Sequence, residues 1–341
     1  MKLARPFLLP FSPLYWLITT FRNWFFDLGI LKSKSFNMPI IAIGNLNAGG
    51  TGKTPHTEYV ARYVSQGLDK YTAILSRGYG RISSGIQVVE LNSLPLIVGD
   101  EPAQLKKRLP ECAVVADGNR VRAVKTMLQW PKVPEAIILD DAFQHRHLKA
   151  GHYVLLTAFN DLYTDDLLLP GGNLRERRSG AKRADTIIVT KCPLDMSTEE
   201  QQSIQKGLKL NSDQQVFFTC IDYAEPIQKH NIFDFEKPFV LVTGIANFQP
   251  LLDYLQSIHK TFHHIPFPDH HEFTDQDIER ILEKTKAFDG QLLTTEKDIQ
   301  RFSENVFIDS ELKAAYIPIS VRFLEDEEHF KASVKKFVEQ F

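Results

Sequence analysis

Cysteine is scarce. Cys112, Cys192 and Cys220 are odd in number, widely spaced and form no Cys-x-x-Cys pair, which argues against a disulfide framework or a thiolate zinc site and points to reduced thiols in a cytoplasmic protein. Excess charge is also missing. A formal net charge of −2 offers no bulk attraction to nucleic acid, so no nucleic-acid partner is expected and any polyanion must be met by a local patch. No internal repeat or low-complexity tract is visible. No apolar run reaches the roughly 20 uninterrupted residues that a membrane span needs. The longest apolar stretch, residues 7–31, is interrupted by Pro10, Pro13, Arg22-Asn23 and Asp27, and no small-residue cleavage site of a signal peptide follows it.

What the chain does have is aromatic and aliphatic bulk at its start. Trp16, Phe21, Trp24, Phe25 and Phe26 crowd one expected helix, with Ser12 as its cap, Pro13 at its first position and Gly29 as its stop. Lys2, Arg5, Arg22, Lys32 and Lys34 flank it against the single acid Asp27. This suits an amphipathic helix lying in the interface of an anionic membrane; packing on the neighbouring domain is the competing reading.

The strongest motif follows. An apolar strand, Pro39-Ile40-Ile41-Ala42-Ile43-Gly44, leads into Asn47-Ala48-Gly49-Gly50-Thr51-Gly52-Lys53-Thr54 and then a helix. Glycines let backbone N–H groups turn toward an anion, a lysine reaches the β- and γ-phosphates of a nucleotide, and a threonine hydroxyl suits Mg2+. Asn47 occupies the place where the first glycine is expected. Glu135-Ala136-Ile137-Ile138-Leu139-Asp140-Asp141 is a second buried-type strand, and its terminal acids suit a metal.

Other candidates lie at strand ends, where ligands collect in an open parallel sheet. Arg77-Gly78-Tyr79-Gly80-Arg81 can contact phosphate or form a plain turn. Asp100, before Glu101-Pro102, reads first as a helix cap and second as a proton acceptor. Gln144 and His145 can orient substrate or simply form a polar turn. Thr190-Lys191 with Asp195 is one residue too long for the guanine-reading element of GTPases. In the carboxyl-terminal part, His263, His264, His270 and His271 surround Pro268-Asp269. A single orienting histidine suits that loop better than a metal site, because no cysteine accompanies the four and adjacent strand residues face opposite ways.

The expected fold is α/β. A P-loop NTPase-like α/β/α domain spans residues 38–215 after an amino-terminal amphipathic helix region, 1–37. A linker, 216–238, leads to a smaller α/β/α domain at 239–322 and a last helix at 323–341.

Taken together, Gly49-Gly50-Thr51-Gly52-Lys53-Thr54-Pro55, Ser76-Arg77-Gly78-Tyr79-Gly80-Arg81, Gly99-Asp100-Glu101-Pro102, Asp140-Asp141-Ala142-Phe143-Gln144-His145-Arg146, Leu174-Arg175-Glu176, Pro268-Asp269-His270 and Thr295-Glu296-Lys297-Asp298 resemble the tetraacyldisaccharide 4'-kinases of lipid A biosynthesis. The resemblance covers nearly the whole chain. Arg177 departs from it, standing where the family often has proline, and Ala48 varies in the loop. It implies ATP- and Mg2+-dependent phosphorylation of the 4'-hydroxyl of an acylated glucosamine disaccharide 1-phosphate, by a peripheral protein at the cytoplasmic face of the inner membrane, with no obligate protein partner.

It also implies roles. Asp100 becomes a base paired with His270, and Lys53 and Asp141 join them as catalytic residues. Asn47 to Thr54 hold the nucleotide; Thr54, Asp140, Asp141 and Glu176 lie near the metal. Arg77, Arg120, Gln144, His145, Asn173 and Arg175 are the expected acceptor-binding residues. Two rival readings are carried alongside. One is a P-loop nucleotide-switch metallochaperone using the His263/His264/His270/His271 cluster, and the other a soluble metabolite kinase whose first helix merely packs.

Overall fold

The computed structural model describes residues 9–245, 247–269, 271–302 and 312–341; His270 therefore lies outside the described residues. The chain divides into two compact units, Met1–Ile221 with Val321–Phe341, and Asp222–Ser320.

The first unit opens with α1 (Ser12–Asp27) and β1 (Ile40–Asn45), followed by α2 (Lys53–Arg62), β2 (Thr72–Ser76), the short edge strand β3 (Gln87–Val89) and α3 (Asp100–Arg108). Then come β4 (Ala113–Ala116), α4 (Arg120–Met127), β5 (Ala136–Leu139), β6 (His152–Ala158), β7 (Thr186–Thr190), α5 (Thr198–Leu208) and β8 (Gln215–Tyr223). Among the described residues the large sheet has the order β14-β8-β7-β6-β1-β5-β2-β4-β3, where β14 is Ile319–Phe323. The pairs from β8 through β4 are parallel, and β3 closes one edge antiparallel to β4.

Every residue of β1 is buried, as expected of a central parallel strand covered on both faces. Alternation divides its side chains. Ile41 and Ile43 join Val60 and Val64 of the α2 region and Phe330 and Val334 of α8 (Glu327–Val338), whereas Ile40 and Ala42 join Val124 and Met127 of α4. The carboxyl-terminal helix is thus part of the first unit's core.

The second unit contains β9 (Ile227–His230), β10 (Phe239–Thr243), α6 (Gln249–Ser257), β11 (Phe262–Pro266), α7 (Asp275–Lys286), β12 (Gln291–Thr295) and β13 (Lys313–Ile317), with sheet order β11-β10-β12-β13-β9. Its two faces repeat the same logic. Phe239 and Leu241 pack with Leu251 and Leu255 of α6, and Val240 and Val242 pack with Ile281 of α7. Thr274 and Asp277 form the capping box that their spacing predicts for α7.

Three local expectations are corrected. Residues 216–223, read as the start of the linker, belong to β8 of the large sheet, because Phe217, Phe218, Thr219 and Cys220 are buried there. Ser12 does not cap α1; its Oγ donates to Leu168 O and accepts from Gly171 N instead, and Phe11 holds the cap position. Asp100 is not a cap either, since Gly99 with φ of 100° precedes it and Asp100 is the first helical residue.

Candidate active site

The glycine loop is built as the motif predicts: β1 ends at Asn45, Gly52 turns at φ of 81°, and Lys53 opens α2. A positive φ at that point favours glycine, because a Cβ would crowd the following carbonyl. Inside the loop, Asn45 Nδ2 donates to Thr51 Oγ1 at 2.9 Å and to Gly49 O at 3.3 Å. His56 Nδ1 lies 2.7 Å from Gly52 O and its Nε2 lies 3.1 Å from Thr219 Oγ1. Burial holds the His56 imidazole down to about 4, so it is neutral under the loop at neutral pH.

Gly44, just before the loop, is required by close approach. A Cβ there would lie 2.7 Å from Phe143 Cβ and 2.8 Å from Phe143 N. Gly44→Ala is therefore expected to destabilise the fold by about 3 kcal/mol, the cost of overpacking against backbone that cannot yield; a thermal or urea melt measures it.

Two segments strap the loop in place. From residues 166–175, Asn173 O accepts from Ala48 N at 2.6 Å, Arg175 N donates to Leu46 O at 2.7 Å, and Asp166 Oδ2 accepts from Asn47 Nδ2 at 3.0 Å. Asn47 is thus tied by a side-chain amide that glycine lacks, which gives its departure from the motif a structural use. From β7, Thr190 Oγ1 donates to Thr51 O at 2.9 Å and Lys191 Nζ to Gly50 O. These two residues lack the spacing of a guanine-reading element; they brace the loop instead.

The acids after β5 separate in role. Asp140 is buried, accepting from Thr57 Oγ1 at 2.9 Å and Ser76 Oγ at 3.2 Å. Burial, reinforced by the charges of Glu101 and Asp141, raises its pKa well above the usual carboxylate range. Asp141, at φ of 45°, is partly exposed. Its carboxylate lies 3.2 Å from Arg175 Nη1 and 3.8 Å from Lys53 Nζ. Lys53, Asp141 and Arg175 therefore converge at the mouth of the glycine loop. Asp140 backs them from below.

Several expected acceptor-binding residues are engaged within the protein. Arg120 is 2% exposed; it donates to Asp117 O and to Asp140 O, and burial lowers its pKa to about 10. That geometry makes it a brace for the Asp140 backbone and not an exposed contact. Gln144 Nε2 donates to Asn45 O at 2.8 Å and to Glu176 Oε1 at 3.0 Å. Burial, followed by the charge of Arg120, lowers His145 to about 4. Glu176 is buried and accepts from Asn23 Nδ2, Gln144 Nε2 and Arg183 Nη2. These bonds tie α1 and Gln144 to the site through the Glu176 carboxylate. Arg77 and Arg175 retain exposure, and Asp100 and Asn173 are half-buried.

Tyr15, which no motif signals, donates from its hydroxyl to Arg175 O at 2.9 Å, and Arg22 donates to Gln144 O at 2.7 Å. The α1 helix thus has a polar inward face at Tyr15, Thr19, Arg22 and Asn23, closed by buried Phe26. Leu14, Ile18, Phe21, Phe25 and Leu28 point outward and are exposed. Arg22, expected among cations facing lipid, points inward.

The three described histidines of the cluster are each engaged separately. His264 Nε2 lies 2.8 Å from Thr243 Oγ1, His263 stacks on Phe288, and His271 Nε2 meets Asp277 Oδ2 at 2.9 Å. No group of three or more His, Cys, Asp or Glu residues that could hold a metal occurs among the described residues.

Residues 4–339 match the family model for tetraacyldisaccharide-1-phosphate 4'-kinase. The chain belongs to this family. A tetraacyldisaccharide 4'-kinase of Flavobacterium johnsoniae is 44% identical, with 100% of this chain and 99% of the relative covered, and one of Bacteroides thetaiotaomicron is 37% identical over 94% and 90%. LpxK of Aquifex aeolicus, crystallised with ATP, superposes with a TM-score of 0.76 at 29% identity, covering 98% of this chain and 99% of that one. Membership makes the chain a kinase, and the metallochaperone reading has no support.

Proposed function

We propose that the chain transfers the γ-phosphate of ATP to the 4'-hydroxyl of a tetraacylated glucosamine disaccharide 1-phosphate, giving the bis-phosphorylated lipid A precursor. The observation that carries this is the convergence of Lys53, Asp141 and Arg175 at the glycine loop, in a chain that matches the family from end to end.

Phosphoryl transfer asks a protein mainly for position and charge. The backbone N–H groups of residues 48–54 would cradle the phosphates, with Lys53 and Arg175 stabilising charge as it builds on the transferred group. The 4'-oxygen forms a bond to the γ-phosphorus while the bond to the β,γ-bridging oxygen breaks and ADP leaves. The hydroxyl proton passes to the Asp100 carboxylate as the new bond forms, since a sugar hydroxyl is far too weak an acid to ionise first. The role of His270, orienting that carboxylate, rests on the family resemblance.

The donor set fits Mg2+. Thr54, Asp140 and Asp141 supply a hydroxyl and two carboxylates, the few protein oxygens that Mg2+ takes when phosphates and water complete its shell. Buried Asp140, whose negative charge is disfavoured by burial, Glu101 and Asp141, would be relieved by such a cation. When bound, Mg2+ neutralises phosphate charge. Glu176 we assign to positioning α1 and Gln144. Incubation with γ-labelled ATP and the disaccharide acceptor tests the reaction: label should enter the organic phase, and label confined to aqueous phosphate contradicts it.

We also propose that the protein is peripheral, seated on an anionic membrane through α1. No helix among the described residues is long and apolar enough to cross a membrane. The outward stripe of α1 carries apolar side chains one and two turns apart, the pattern of an interfacial helix. Replacing Ile18, Phe21 and Phe25 by serine leaves the inward polar face intact and is expected to reduce sedimentation with anionic vesicles about tenfold or more, because three large apolar side chains lose their burial. Unchanged sedimentation would contradict the assignment.

A further inference from the structure

Exposed large apolar residues are concentrated in two segments of the first unit. One is the α1 region; the other is residues 79–96, where Tyr79 is 78%, Ile82 68%, Leu94 65% and Leu96 59% exposed. Isolated exposed apolar residues need no explanation, but a contiguous group marks a contact surface. Here the backbone holds the group together. Ile82 N donates to Leu96 O at 3.0 Å and Ser83 Oγ donates to Ile97 O, so the two arms of the segment lie side by side. Arg81 donates to Ala116 O at 2.9 Å and to Gly85 O at 2.6 Å, and buried Val89 and Val98 anchor the base. An ordered turn thus carries apolar side chains outward.

The chemistry of the segment selects its partner. Residues 78–98 contain only two charged side chains, Arg81 and Glu90, in a chain that is 24% charged. The Arg81 guanidinium is spent on carbonyl oxygens, so little charge must be dehydrated if the tip enters an apolar phase.

The segment starts after Arg77 at the carboxyl end of β2 and returns at Gly99 to Asp100. The α1 helix is fastened at the same end of the sheet, through Arg175 after β6 and Gln144 after β5. Two apolar projections therefore border one sheet edge, with Asp141 and Arg175 in loops at that edge and Asp100 opening α3 there.

We infer that residues 79–96 form a second membrane contact whose partner is the bilayer interface itself, entered by Ile82, Leu94 and Leu96. This deepens the membrane reading above and rests on it for the identity of the surface. With two contacts the carboxyl edge of the sheet faces the lipid. A lipid acceptor then reaches Asp100 without leaving the interface completely.

The test is a triple variant, Ile82→Ser, Leu94→Ser and Leu96→Ser, in the full chain with α1 unaltered. Sedimentation with phosphatidylglycerol–phosphatidylethanolamine vesicles, without nucleotide or acceptor, should fall about tenfold from lost apolar burial. The thermal midpoint and the turnover of detergent-dispersed acceptor should stay unchanged. The matching Met variants should retain vesicle binding, as required if hydrophobicity is what matters. Unchanged vesicle binding by the Ser variant overturns the inference. So does a raised KM for dispersed acceptor with vesicle binding unchanged, because that result assigns the segment to acyl chains. The vesicle arm uses no reaction, so failure of the kinase reading would register separately as absent turnover in the unmodified protein.

Discussion

Lys53→Ala is expected to lower kcat by on the order of 10²-fold or more, the loss that accompanies removal of a preorganised charge from a developing phosphoryl transition state. Lys53 Nζ stands 3.8 Å from Asp141 and 3.4 Å from Gly49 O, so the ammonium is held between the loop backbone and the acid expected at the metal. Two consequences separate a catalytic from a structural role. The fold should survive, because Lys53 reaches out of the first turn of α2 and contributes no side chain to the core clusters. Arg175 should not compensate, because it approaches Asp141 from the 166–175 strap and its guanidinium is fixed by that contact. Steady-state kinetics with a thermal melt on the same preparation decide the matter. Normal turnover by a folded Lys53→Ala protein would remove the lysine from the chemistry.

Asp100→Asn should cost a comparable factor, on the order of 10²-fold or more, through loss of the proton acceptor. The structure sharpens this expectation. Gly99 takes the cap position, and Asp100 is the first helical residue of α3, after the loop that follows β2. The predicted signature is a fall in kcat with nucleotide affinity unchanged, measured by titration with ATP, because Asp100 is remote in sequence from the glycine loop and is assigned only to the acceptor. A loss confined to nucleotide affinity would instead place Asp100 with the donor.

Much of this site was legible in the residues themselves. The glycine loop, the β5 acids and the strand-ending Arg77 follow from local chemistry, in which a β-branched run, a turn and a functional group are consecutive. The bracing was not. Glu176 receives Asn23 across 153 positions of sequence and Tyr15 reaches Arg175 O across 160; no local pattern encodes such pairs. Nor did the sequence reveal that Arg120, expected to bind the acceptor, turns inward to the carbonyl oxygens of Asp117 and Asp140. Ser12-Pro13 has the form of a cap, yet the serine hydroxyl found a tertiary partner in the 168–171 turn. Tertiary hydrogen bonds overrode local preference in each case. The short strands β3 and β9 escaped for another reason: three or four residues at a sheet edge carry too little periodicity to be distinguished from loop.

The family resemblance carried the assignment of Asp100 further than its position alone could. Geometry then redistributed the supporting residues. Gln144, Arg120 and Glu176 hold the loop, the Asp140 backbone and α1, while Lys53, Asp141 and Arg175 remain where the transferred phosphate would sit.

The most direct measurement is the position of the new phosphate. The protein, ATP and Mg2+ are incubated with the tetraacylated disaccharide 1-phosphate, and the lipid recovered in the organic phase is examined by phosphorus–proton correlation NMR. The account predicts a second phosphate monoester on the 4'-oxygen, absent when Lys53→Ala is used. A lipid returned with its 1-phosphate alone while ATP is consumed, or a phosphate on any other hydroxyl, would contradict it.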